Sequence, residues 1–125
     1  MARLKLSKRD RLHQAERYLI WRWGLPFNLR VERKMPSGYE DCEGCCHPPE
    51  GNSEPLVRVL RTPSLSTAIG TLLHEFAHVL ALARDPAHLV RQSETEGHDH
   101  LFYRCLREVE NDWHYFEGDF FSEDF

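Results

Sequence analysis

His74, Glu75 and His78 stand in the spacing His-Glu-x-x-His. Side chains four residues apart share one face of an α-helix, so both imidazoles can reach one ion. Glu75 directly follows the first histidine, which sets its carboxylate beside the ion without making it a ligand. There it can take a proton from an attacking water and return it to a leaving amine, the general acid–base step of hydrolysis. Two neutral imidazole nitrogens suit Zn²⁺, which lowers the pKa of bound water towards about 7. With eight histidines in 125 residues, accident would produce the pattern about 0.05 times. Its neighbours Leu72, Leu73, Phe76 and Leu80 would bury it. Buried imidazoles and carboxylates are costly unless paired or metal-bound.

A hydrolytic zinc site normally has three protein ligands and an open fourth position. A metzincin would carry Gly three residues after His78 and His three further on. Ala81 and Arg84 stand there, so that class is excluded. The residues alone leave His88, Glu94, Glu96, His98, His100 and Glu108 open as the third ligand.

His74-Glu75-Phe76-Ala77-His78, followed after a loop by Gly97-His98-Asp99-His100-Leu101-Phe102, resembles the SprT-like zinc metallopeptidases, the Spartan-related family. Its signature is HExxH, a loop, then a Gly-His opening a helix, with an aromatic four residues after that histidine. The resemblance covers roughly residues 7–110, and its specific part is these two motifs. It implies zinc ligands at His74, His78 and His98, with Glu75 as catalytic acid and base. It also implies a zincin-type cleft and cleavage of proteins, in the best-known members those crosslinked to DNA. His100 stays as an alternative third ligand, and Glu108 as an acidic one.

Cys42-Glu43-Gly44-Cys45 has the spacing of a zinc knuckle, and Cys46 and His47 add two more ligand types. A second, structural zinc is one reading; free thiols or a local disulfide are the others. Cys105 reads as a small core residue of a helix.

Several elements must position these groups. Ser7 is a helix N-cap, and Leu12, Ala15, Leu19 and Trp23, widened by Ile20, form one apolar stripe before Gly24 and Pro26 end the helix. Residues 27–32 alternate apolar and polar, as in a half-buried strand. Residues 36–55 are rich in Gly, Pro, Cys and acids and read as a long loop or irregular hairpin. A second strand covers 56–61. Thr62-Pro63-Ser64 starts a long helix over 64–84, stopped by Asp85-Pro86. After a loop to residue 97, a third helix runs from His98 to about residue 111, with Phe102, Cys105, Leu106 and Val109 inward. The expected fold is α+β, a minimal zincin-like core with a small antiparallel sheet. One domain would cover 1–111, followed by an acidic aromatic tail over 112–125 that is either disordered or docked on the N-terminal part.

The net charge of −4 hides a split. Residues 1–34 hold ten bases and three acids, while residues 35–125 hold six bases and seventeen acids. The basic part, with Tyr18, Trp21 and Trp23 interleaved, is the surface that could meet DNA, although such aromatics also build cores. No run approaches the roughly 18 apolar residues of a membrane span, and no signal peptide is evident, so a cytoplasmic location is expected. The expected partner is a protein or peptide substrate. The alternative is a non-catalytic, zinc-stabilised binding or inhibitor module acting through the acidic aromatic tail.

Overall fold

The computed structural model describes residues 6–51, 53–61, 64–88 and 98–122, with side chains as far as residue 117. The first helix, α1, spans Lys8–Trp23. Ser7 caps it by accepting the Asp10 N–H at 3.1 Å, which satisfies one of the free donors of the first turn. Gly24 ends it in the left-handed region, φ 66°, where its N–H reaches the Ile20 carbonyl. Leu12, Ala15 and Leu19 are fully buried, and Ile20 and Trp23 flank them.

Three strands follow: β1 (Asn28–Glu32), β2 (Gly44–His47) and β3 (Leu56–Leu60). Their order in the sheet is β1-β3-β2, so β3 is central and β2 is an edge. β2 pairs antiparallel with β3, but β1 pairs parallel with it. The sheet is therefore mixed, not antiparallel as expected. The cause lies in the segment between β1 and β3, which contains a third strand that turns back along β3's far side. Alternation sends Leu29, Val57 and Cys46 into one buried row, while Arg30, Arg58 and Cys45 form a row on the opposite face.

Helix α2 (Leu65–Arg84) crosses the buried face of the sheet. Ser64 caps it, accepting the Thr67 N–H at 3.3 Å; Thr62 and Pro63 lie outside the described residues. By length and composition α2 is apolar enough to cross a membrane, yet 61% of the relevant window is buried inside the protein, as in a core helix. Asp85, extended ahead of Pro86, ends it.

Helix α3 (His100–Ser122) packs along α2. It begins two residues later and ends eleven later than expected. Asp99 explains the start, since its carboxylate accepts the Phe102 N–H at 3.0 Å and its carbonyl accepts the Tyr103 N–H. That makes Asp99 the N-cap and leaves His98 just outside the helix. The inward stripe explains the length. Phe102, Cys105 and Val109 are fully buried, and Trp113 and Phe116 continue the same face past residue 111. Among the described residues the result is an α+β fold of three helices on a three-stranded mixed sheet.

Candidate metal centre

The last half of α2 carries the site. Its inward face buries Glu75 and His78, while His74 sits one turn earlier, half-exposed. His98 reaches the same place from the residue before the Asp99 cap. One ligand atom from each of His74, His78 and His98 lies within 4.8 Å of the others. The Nε2 atoms of His74 and His98 are 3.1 Å apart. A tetrahedral zinc with bonds of about 2.0–2.1 Å holds its nitrogens about 3.3 Å apart, so the His74–His98 pair stands at ligand spacing, with His78 within 4.8 Å of both. The donor set suits zinc and other divalent transition metals, and does not choose among them.

Phe102 is the platform beneath the cluster. Its ring lies 4.3 Å from His78, 4.8 Å from His98 and 4.9 Å from His74, centroid to centroid, and is fully buried. The aromatic four residues after His98 thus fixes all three imidazoles, not His98 alone.

Electrostatics favour neutral imidazoles. Burial, and then the neighbouring histidines, push His78 down to about 3. Burial and His98 lower His74 as well. Both rings therefore keep lone pairs free at neutral pH. Burial alone raises the Glu75 carboxyl to about 7, and its Oε2 lies 3.9 Å from His74 Nε2. A carboxyl poised there can both accept and release a proton near pH 7.

The remaining third-ligand candidates fall elsewhere. His100 is exposed on the first turn of α3, outside the cluster. Glu108 is held by Arg84, which donates to its two oxygens at 2.5 and 3.0 Å. Glu94 and Glu96 lie outside the described residues. His88 is fully buried behind His78, with its Nε2 2.9 Å from His78 Nδ1.

Of the two readings of this stretch, loop or irregular hairpin, the hairpin holds: Cys45, Cys46 and His47 lie on β2, antiparallel to β3, with Cys42 ahead of it, and the pleat divides them. Cys46 points into the core while Cys45 and His47 face the other way, Sγ to Nε2 3.2 Å. Burial, and then Glu75, raise the Cys45 thiol to about 11, and burial raises Cys46 further, so both stay protonated. Cys42 is exposed. The structure does not gather Cys42, Cys45, Cys46 and His47 around one point. Among the described residues, the three histidines form the one group of three or more side chains placed to hold an ion.

No protein-family model matches the chain, and neither the curated proteins nor the solved structures yield a match. What the fold and site define is an α+β protein with a three-histidine group able to bind a metal ion.

Proposed function

We propose that the chain is a zinc-dependent metallopeptidase of the SprT-like kind, hydrolysing peptide bonds in protein substrates. The observation that carries this reading is the convergence of His74, His78 and His98 beside a buried Glu75 that is not one of the three. Zinc held by the three imidazoles would supply Lewis acidity, activating a water and polarising the scissile carbonyl. Glu75 takes the proton from the attacking water and delivers it to the amine nitrogen as the bond breaks. A carboxyl near pH 7 suits both halves of that exchange.

A sheet edge beside Glu75, free among the described residues, supports this reading. β2 is an edge strand, and it runs so close to α2 that a Cβ on Gly44 would sit 3.2 Å from Glu75 Cγ. A peptide added in extended form to β2 would lie alongside Glu75, bound by main-chain hydrogen bonds. The exposed bases of α1 and β1 (Arg9, Arg17, Arg30), with Trp21 77% exposed, support a reading in which this part contacts DNA.

The test is zinc loading followed by digestion of a denatured protein. Glu75→Gln should retain one zinc per chain and lose at least about 10²-fold in rate, the usual contribution of general acid–base catalysis. A metal chelator should abolish cleavage by the parent. If the parent loads zinc and cleaves nothing, the centre is structural and the chain is a binding module.

A further inference from the structure

His88 is fully buried, yet it lies outside the three-histidine group. Its place is fixed by a turn beyond α2. Asp85 accepts the Ala87 N–H on its side chain at 3.1 Å and the His88 N–H on its carbonyl at 2.9 Å. That turn folds the chain back and lays the His88 ring against His78, with centroids 5.2 Å apart and planes tilted by 32°. Phe102 lies nearly parallel to His88, 5° between planes, and backs both rings. On its far side His88 Nδ1 faces Asp99 Oδ1 at 3.8 Å, an electrostatic contact longer than a hydrogen bond. The same oxygen caps α3.

We propose that His88 and Asp99 are positioning residues for the metal ion. His88 Nε2 accepts the His78 Nδ1–H, and Asp99 holds His88 in the tautomer that leaves Nε2 free to accept. This fixes His78 with its proton on Nδ1 and its Nε2 lone pair aimed at the ion. A ligating imidazole normally gives its other N–H to such a partner, which sets ring orientation and raises ligand basicity. The arrangement has a second consequence. Asp99 neighbours His98 and caps the helix behind it, so one carboxylate steadies two ligands that arrive from different elements. The inference rests on the three-histidine metal centre of the proposed function and adds to it how two of the ligands are aimed.

The experiment is zinc affinity of the full chain, by competition with a chromophoric chelator, with circular dichroism confirming the fold. His88→Phe keeps the ring volume and removes the acceptor, and should weaken zinc binding about 10–100-fold. His88→Gln restores an acceptor near the Nε2 position and should recover most of that loss. Asp99→Asn keeps the cap and removes the charge, and should give a smaller loss in the same direction. Unchanged affinity in His88→Phe, or no recovery in His88→Gln, overturns the proposal while leaving the metal centre intact. If the unsubstituted chain binds no zinc, both fall. Should His88→Phe fail to fold, the ¹⁵N shifts of His78 in the zinc-loaded parent decide. Metal on Nε2 with an exchange-protected Nδ1 proton is expected, and metal on Nδ1 overturns the assignment.

Discussion

At the residue scale, Glu75 sits where stability and chemistry conflict. Its folded pKa, about 7, lies above the ordinary 4.5 because burial penalises the carboxylate. A raised folded pKa means the fold prefers the protonated acid. That contribution is complete below about pH 4.5 and is lost as pH rises through 7. In the metal-free protein, Glu75→Gln should therefore match the parent at pH 4 and exceed it by about 1–3 kcal/mol at pH 8. Urea midpoints at unchanged slope measure this, and equal stability at pH 8 would mean the carboxylate is solvated after all. The helix spacing made His74, Glu75 and His78 legible in the sequence, whereas His88 stood there only as one of several third-ligand candidates, not as the partner of His78. Its role depends on a turn ten residues past His78 and on a contact with Asp99, and neither follows from periodicity. An Asp-Pro pair just ahead of a histidine was the available hint.

At the element scale, the edge strand β2 was the least legible part. Its four residues lie within a stretch rich in Gly, Pro and Cys, and no alternation of apolar residues marks them. What makes it a strand is tertiary: pairing with β3 and close seating on α2. Gly44 is the contact point. A Cβ there would meet Thr71 Cγ2 at 2.6 Å and the Arg58 carbonyl oxygen at 3.0 Å, besides Glu75. Gly44→Ala should force β2 outward and cost about 1–3 kcal/mol, typical of overpacking. Thr71→Ser deletes the clashing methyl but keeps the hydroxyl that donates to the Thr67 carbonyl. Added to Gly44→Ala it should restore part of the loss, as a favourable coupling in a double-mutant cycle of thermal unfolding. Independent, additive effects would mean that β2 does not press on α2 at this point. The clear elements, α1, β1, β3 and α2, were legible because caps and apolar periods agreed there.

At the scale of the whole molecule, the charge split becomes a packing arrangement. Asp112 accepts from Tyr18 Oη and Arg22 Nε, both at 2.7 Å, and Phe116 stacks on Tyr18 at 3.8 Å with planes 8° apart. Trp113 is 3% exposed. The acidic, aromatic segment is thus joined to the basic first helix, and of the three aromatics there only Trp21 stands clear of the core. Sequence showed both ingredients, an inward stripe and a run without Lys or Arg. It left the segment either disordered or docked on the N-terminal part, and residues 112–117 take the docked alternative; that the helix itself continues across residue 111 was not legible, because acids are interleaved with the aromatics. A chain ending at residue 111 loses the burial of Trp113, worth about 3–5 kcal/mol alone, together with the Phe116 stack and the Asp112 bonds. Against a total stability of about 5–15 kcal/mol, that truncation should fold poorly or not at all. Asp112→Asn should cost only about 1–2 kcal/mol, because it keeps an acceptor and every apolar contact. Thermal unfolding of the two variants separates the cases. If the truncated chain melts cooperatively near the parent's midpoint, residues 112–117 are an appendage. If it loses its transition while Asp112→Asn keeps most of its stability, then any activity lost on deleting this segment reports unfolding of the site's scaffold, since α3 is what carries Phe102 and its Asp99 cap to the three histidines.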